Sequence, residues 1–326
     1  MNSFLNTAAT MQRLSISGME EASRDGRREG DLEHVLLALV ISEQSAGVAL
    51  RGLGITLDAA RRAVRDQHRQ QLRQLGIELE QGEPERIVFH ETDGYEWTDR
   101  ALTVMSRSTE GDGRGDAASI LRILLAEPSG LIAEILERLG TTAEAVGEAL
   151  DEAERTDPRA QSPATRRRDL VHGRIEVFVP ASLDDAWSLL SSAERMPDWD
   201  PMTGSIESDA ERQDSWISHA PFHHPDGKPI QVKPEFRRRR IIRAEASEPT
   251  RVVWWSDYPD APELDRRMLT VELAATEAGT HATLTTTWRR RTGWRRMIGF
   301  PLRPLQRYFV WLHLSQMGAA ISRAFR

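Results

Sequence analysis

The chain contains no cysteine. Disulfide frameworks, thiolate nucleophiles and cysteine-ligated zinc, iron–sulfur or haem sites are therefore excluded. Lysine is nearly as scarce: of 43 basic residues only Lys228 and Lys233 are lysines. No window approaches the roughly 20 uninterrupted apolar residues that a membrane span needs, and no N-terminal stretch has the pattern of a secretory signal. No membrane span is expected, and the expected location is the cytoplasm. The only Gly-Lys pair, Gly227-Lys228, runs into Pro229, so a phosphate-cradling G-x-x-x-x-G-K-[ST] loop is missing. A G-x-S-x-G nucleophile elbow is missing too. Aromatic residues make up only 6% of the chain, yet nine of them are tryptophan.

What remains is a chain of 326 residues, 39% hydrophobic and 29% charged, long enough for two buried cores. Charge divides it. Residues 1–165 carry 18 Arg against 29 acids, and residues 166–326 carry 25 Lys and Arg against 21 acids. Between the halves lies a polar, Pro-containing stretch with no apolar period, which reads as a linker. The expected organisation is a domain at 1–152, a linker at 153–169 and a domain at 170–326.

In the first half apolar residues recur at helical spacing, as in Val35, Leu36, Leu39 and Val40, then Leu50 and Leu53, then Leu57, Ala60 and Val64. The pattern returns about 85 residues later as Ile120, Leu121, Leu124 and Leu125, then Leu136 and Leu139, then Val146 and Leu150. Self-similarity at a fixed offset is an internal duplication. Both copies break at Leu-Gly and restart with a hydroxyl N-cap at Thr56 or Thr142. An all-α double four-helix repeat is expected.

The run "MEEASRDGRREGDLEHVLLAL" at 19–39, the Leu-Gly-Ile-Thr-Leu-Asp at 53–58 and the restart "WTDRALTVM" at 97–105 together resemble the N-terminal domain of Clp unfoldases, over about residues 7–152. The resemblance implies recruitment of a Clp-type ATPase, an adaptor or a client protein. In some such domains the acid that opens the second helix of each repeat helps to bind phosphorylated arginine. Glu33 matches that position in the first repeat; Ala118 occupies it in the second, after a helix about five residues shorter. Glu33 reads either as this partner-binding carboxylate or as a first-turn acid stabilised by the helix dipole.

From residue 170 the period changes to two, in "RIEVFVPAS", "DSWISHAPF", "KPIQVKPEFRRRRIIRAEA", "TRVVWWSD", "RRMLTVELAAT" and "HATLTTTWRRR". Turn-rich stretches such as "HHPDG" and "EAGT" separate these runs, as expected for antiparallel hairpins. A helix from about Pro304 to Phe325 ends the chain, with Trp311, Leu314, Met317 and Ile321 on one face. This order, with "VPASLDDAWSLLSSAERMPDWDPM" at 179–202 and "GTHATLTTTW" at 279–288, resembles the START-like, or SRPBCC, superfamily that includes polyketide cyclases and lipid-transfer proteins. The resemblance implies an α+β helix-grip fold, a curved antiparallel sheet around the long last helix, with an apolar cavity between them for a small hydrophobic ligand.

Trp199, Trp216, Trp254, Trp288 and Met317 are the expected wall of that cavity. Strict alternation through 230–246 puts Ile230, Val232, Phe236 and Ile242 on one face and brings Arg238 and Arg240 with them; in the strand at 282–290 it brings Arg290. These three guanidiniums would meet an acidic group on the ligand or a protein carboxylate, with Asp257 and Glu272 as candidates, or else lie at the strand ends and reach into solvent. The histidines around "APFHHPDG" read as an exposed hairpin tip, and no metal or cofactor is expected. The acidic net charge and the alternation of the arginine runs argue against nucleic-acid binding. His172, His281 and His313 have no evident nucleophile or orienting partner, so no catalytic residue is singled out. The expectation is a two-domain binding protein; a polyketide cyclase- or aromatase-like enzyme with an accessory helical domain is the alternative.

Overall fold

The computed structural model describes residues 2–77, 87, 94–110, 115–156, 170–210, 212–223, 228–289 and 303–326. The chain divides into two compact units, Met1–Ser162 and Pro163–Arg326. No single described helix is long and apolar enough to cross a membrane.

Among the described residues the first unit contains eight helices: α1 (Asn2–Arg24), α2 (Leu32–Val40), α3 (Ser45–Gly52), α4 (Leu57–Gln74), α5 (Asp99–Arg107), α6 (Ala117–Leu125), α7 (Leu131–Arg138) and α8 (Ala143–Thr156). A parallel pairing joins β1 (Glu29–Gly30) to β2 (Glu96–Trp97). The start and stop signals are duplicated. Asp31 caps α2 by accepting from Leu32 N at 2.9 Å, and Asp116 caps α6 by accepting from Ser119 N at 2.9 Å. Helices α2 and α6 each have nine residues, α3 and α7 each eight. Gly54 and Gly140 follow α3 and α7 with φ of 76°, a left-handed conformation that glycine adopts without strain. Thr56 and Thr142 then accept from Ala59 N and Ala145 N, each at 3.2 Å. The copies differ most in their first helix, 23 residues in α1 against nine in α5. That exceeds the expected five-residue difference, only partly because α1 begins at Asn2, ahead of the matched stretch.

The core of this unit is aliphatic, with Leu32, Leu36, Leu39, Leu50, Ile120, Leu121, Leu124, Ile135 and Leu136 fully buried. A buried ion pair crosses it: Arg61 donates from Nε and Nη2 to the two oxygens of Glu21 at 2.8 and 2.9 Å. Helix α8 runs on through Thr156 and buries Ala153, so residues 153–156 are helical where the linker was expected to begin. Residues 157–169 lie outside the described residues.

The second unit is an antiparallel sheet of β3 (Leu170–Val179), β4 (Ser205–Ser208), β5 (Ser215–His219), β6 (Arg238–Ser247), β7 (Arg251–Asp257), β8 (Arg267–Thr276) and β9 (Gly279–Arg289), in the order β3-β9-β8-β7-β6-β5-β4. Helix α9 (Leu183–Ser191) and a 3-10 turn at Met196–Asp198 lie between β3 and β4, and α10 (Arg303–Arg323) closes the chain. This is a helix-grip α+β arrangement. Val310, Leu314, Met317 and Ile321, on one stripe of α10, are buried with Ile175 and Val177 of β3. Two glycines permit the approach: a Cβ on Gly173 would lie 2.4 Å from Val310, and one on Gly318 would lie 2.6 Å from Val177.

One expectation needs correction. Residues 230–246 are not a single strand, because a 3-10 turn at Pro234–Phe236 interrupts them and β6 begins only at Arg238. Proline supplies no N–H to a ladder, and the turn resets the alternation. Ile241 is buried and Ile242 is partly exposed, so Arg239 shares the inner face and Arg238 and Arg240 lie on the other.

Candidate functional site

The strand register arranges rows of side chains across the sheet. Ile241 pairs with Ser256, Ser256 with Arg267 and Arg267 with Trp288. In the next row Trp254 pairs with Leu269, Leu269 with Thr286 and Thr286 with Gly173, the glycine against which α10 packs. Between these rows and α10 lies a cavity of about 660 Å³. Its further walls come from Met196, Trp199, Asp200 and Met202 after α9, from Arg239 of β6 and from Phe309, Val310, His313, Leu314 and Met317 of α10.

Burial grades this wall. Trp199, Ile241, Trp254, Leu314 and Met317 are buried, whereas Met202 and Phe309 are exposed, Phe309 at 57%. Arg267 is exposed too. These exposed residues mark the rim. Arg267 lies over the Trp288 ring, 5.3 Å from its centroid, the geometry of a cation–π contact, and it forms no ion pair among the described residues.

The polar part of the wall centres on Asp200 and Arg239. Arg239 Nη2 donates to Asp200 and, at 2.7 Å, to Thr203 Oγ1; Thr203 Oγ1 in turn donates to Asp200 Oδ2 at 3.0 Å, and Met202 N donates to Asp200 Oδ1 at 3.1 Å. Burial would raise the Asp200 pKa, but the charge and hydrogen bond of Arg239 outweigh it and hold the carboxyl below its ordinary range. Burial also opposes the charge on Arg239, yet Asp200 raises its pKa. His313 on α10 goes the other way. Burial pushes its pKa down, against the opposing pull of Asp200 and with the help of Arg239 and Arg267. An imidazole held below its ordinary pKa thus lines the cavity together with an ion pair.

Of the residues expected to line the cavity, Trp199, Trp254, Trp288 and Met317 do so. Trp216 packs edge-on against Trp254, with ring centroids 6.1 Å apart, and its Nε1 donates to Glu194 Oε1 at 3.2 Å; it pairs with Ile241 on the same face of the sheet, beside the wall and not in it. Arg238 and Arg240 are not part of it. Arg238 lies 3.8 Å from Asp260, and Arg240 lies 3.5 Å from Asp209 and 3.7 Å from Asp257, on the face to which the 3-10 turn assigns them. Asp257 also lies 3.3 Å from Arg266, and Glu272 lies 4.0 Å from Arg251. Arg290 lies outside the described residues. His219 at the expected hairpin tip pairs with Glu207 at 3.2 Å.

Asp200, Arg239 and Arg267 escaped the sequence reading, which named His313 but gave it no partner. The signal for Arg239 was Pro234, which breaks the strand ahead of it. Asp200 stands inside "MPDWDPM", where a carboxylate between prolines reads as turn chemistry.

In the helical unit Glu33 is 1% exposed. His68 Nε2 donates to its Oε1 at 3.1 Å, and Arg27 donates to His68 Nδ1 at 3.3 Å, which leaves the proton of a neutral His68 on Nε2. Burial would raise the pKa of Glu33, but the His68 hydrogen bond and the neighbouring His34 outweigh it and lower it. His34 is buried beside it, accepts at Nδ1 from Asp31 N at 3.0 Å, and has its own pKa lowered by burial.

No family model matches the chain, and no curated protein matches it. Solved structures similar to it include the di-domain ARO/CYC StfQ from the steffimycin biosynthetic pathway, at 16% identity and a TM-score of 0.37, covering 60% of this chain and 59% of that one. The chain thus spans about three fifths of the length of StfQ. DynU16 from the dynemicin biosynthetic locus is similar at 14% identity and a TM-score of 0.32, covering 48% of this chain and 46% of that one. A protein from Thermus thermophilus is similar at 16% identity and a TM-score of 0.34, covering 47% of this chain and 97% of that one.

Proposed function

We propose that the chain is a two-domain binding protein whose C-terminal unit takes a small, flat, mainly apolar molecule between its sheet and α10. The cavity is the observation that supports this reading. Its volume of about 660 Å³ falls in the range of small-molecule sites, and its apolar walls are broken by a few polar groups, as such sites are. Trp254 and Trp288 offer flat surfaces, and methionines adapt to an irregular guest. An acidic group on the guest would find the guanidinium of Arg267 at the rim. Titration of the full chain with an aromatic carboxylate and its methyl ester tests this: the carboxylate should bind more tightly, and Arg267→Gln, unlike Arg238→Gln, should abolish the preference. Absence of binding by either compound, together with no co-purifying small molecule in native mass spectrometry, overturns the reading.

The helical unit, in the same proposal, docks on a protein partner such as a Clp-type ATPase, its adaptor or a client. The duplicated lengths and caps of α2, α3, α6 and α7 support that assignment. Cross-linking of the full chain to a Clp-type ATPase should capture the helical unit; capture through the C-terminal unit instead, or none, sinks it.

One observation favours a second reading, acid–base catalysis of the cyclase or aromatase kind in the same cavity. His313 lines the cavity with the Asp200–Arg239 ion pair, and burial lowers its pKa towards the neutral form that a general base needs. On this reading His313→Gln retains guest affinity but abolishes conversion of the guest; a guest recovered unchanged from the unaltered chain rules it out.

A further inference from the structure

The two repeats cap their second helices with the same residue type but close the cap differently. In the first, Asp31 accepts from Leu32 N, and its own N–H donates to Nδ1 of His34 at 3.0 Å, which completes a capping box. That place in a capping box ordinarily belongs to glutamate or glutamine. In the second repeat Ser119 stands there, and both its N–H and its hydroxyl donate to Asp116 Oδ1, at 2.9 and 2.8 Å. A serine hydroxyl does not titrate near neutral pH; an imidazole does.

Asp31 is also where the first repeat holds the start of the second. Thr98, the N-cap of α5, donates from Oγ1 to Asp31 Oδ1 at 2.7 Å; Arg100 Nε donates to the same oxygen at 2.7 Å, and Arg100 Nη2 pairs with Oδ2. Thr98 N donates to the O of Gly30, the residue before Asp31, at 2.9 Å. The cap of α2, the β1–β2 pairing and the start of α5 thus meet at Gly30 and Asp31.

His34 is fully buried. Because the Asp31 N–H donates to Nδ1, a neutral ring carries its proton on Nε2. A second proton has to enter at Nδ1, where it turns the acceptor into a donor that faces another donor. Two carboxylates are poised for that state: Glu33 Oε1 lies 3.8 Å from Nδ1 and Asp25 Oδ2 lies 3.9 Å from Nε2, both beyond hydrogen-bond distance. Arg27, in the turn after α1, and His68 of α4 oppose a charge on the ring, and Arg100 of α5 is engaged by Asp31. Burial outweighs the carboxylates and holds the His34 pKa below its ordinary value, so neutral pH favours the form that accepts from Asp31.

We propose that His34 makes this junction an acid-sensitive latch: a proton on Nδ1 exchanges the bond from Asp31 N–H for contacts with Glu33 and Asp25, opens the capping box of α2 and loosens the first repeat's hold on the start of α5. The second repeat, with Ser119 at the same place, has no such latch. The sign follows from linkage: a histidine less basic in the folded chain than in the unfolded one withdraws stability as pH falls below its unfolded pKa.

Amide hydrogen exchange of the full chain, expressed as protection relative to the unfolded rate at each pH, tests this. Between about pH 7.5 and about pH 5, a window that spans the ordinary histidine pKa, protection of Asp31 N–H and Thr98 N–H should fall, by up to about tenfold per pH unit for one proton. Ser119 N–H, which closes the cap in the second repeat, should keep its protection. His34→Gln supplies an acceptor that does not titrate and should abolish the fall at both amides; His68→Gln, which removes the other imidazole beside Glu33, should leave the fall in place. Unchanged protection of Asp31 and Thr98 throughout the window, an equal fall at Ser119, or a fall that survives in His34→Gln overturns the latch. The comparison of the two caps within the unaltered chain decides the matter even if His34→Gln fails to fold.

Discussion

Arg239 reaches from β6 to Asp200, the residue after the buried Trp199, and forms an ion pair in which the two side chains are 12% and 5% exposed. Strand and turn meet there through charge. Removal of either partner leaves the other buried and uncompensated, so Asp200→Asn and Arg239→Leu should each destabilise the C-terminal unit by about 3–5 kcal/mol. The double substitution should cost clearly less than their sum, because the second removes the orphan left by the first. Urea unfolding of the four species measures this; additive costs would mean that the pair does not couple. The pH dependence has a fixed sign. A carboxyl whose folded pKa is lowered contributes stability that is present above its unfolded value and lost as pH falls through the folded one. The Asp200 contribution should therefore be intact at neutrality and disappear below the ordinary aspartate range.

The register of β6 gives a sharper test. Ile241 and Ile242 are adjacent and chemically identical, but Ile241 is buried in the core cluster and Ile242 is on the opposite face. Ile241→Ala should cost about 2–5 kcal/mol, the range for a buried aliphatic residue cut to alanine, and Ile242→Ala distinctly less. Equal costs would contradict the register.

This pair also shows where the sequence was legible. Alternation in β3, β7, β8 and β9 and the turn signals between them carry the antiparallel order, and the stripe of Leu314, Met317 and Ile321 carries the inner face of α10, because each pattern is local and uninterrupted. Trp199, Trp254, Trp288 and Met317 were found for the same reason: large apolar residues of a short domain have few places to go other than its core and cavity. The polar groups were not found. Alternation was carried through Pro234, and a single residue of slippage moves every side chain of β6 to the other face. Asp200 and Arg239 stand 39 residues apart, and His313 belongs to a helix still further along; no spacing rule reports a meeting that only the folded sheet brings about.

In the helical unit the duplication makes paired predictions. Thr56 and Thr142 occupy equivalent caps with the same 3.2 Å bond to a backbone N–H. Thr56→Ala and Thr142→Ala should each destabilise the unit by about 1 kcal/mol, and because the two caps share no hydrogen-bond partner the double variant should lose close to the sum. Thermal unfolding of the two single variants and the double one checks this. A cost at one site and none at the other would show that the turns are alike in geometry but not in energy.

The last prediction concerns Glu33, which matches a partner-binding acid of the Clp-like pattern. Within the fold it is enclosed: His68 Nε2 donates to it at 3.1 Å, Arg27 lies 3.8 Å away and His34 is buried beside it. A carboxylate kept for a partner lowers stability in the free chain, and neutralising it stabilises the fold, as at strained functional sites. A carboxylate serving the fold does the reverse. Its lowered pKa predicts behaviour of the second kind, because a group more acidic in the folded chain than in the unfolded one adds stability above its unfolded pKa and loses it as pH falls through the folded value. Glu33→Gln keeps an acceptor for His68 and removes the charge. It should cost on the order of 1–3 kcal/mol at neutral pH, and the cost should vanish below the ordinary glutamate range, where the native carboxyl is protonated too. Urea unfolding at neutral and acidic pH separates the cases. A variant more stable than the unaltered chain at neutrality would return Glu33 to the partner-binding role.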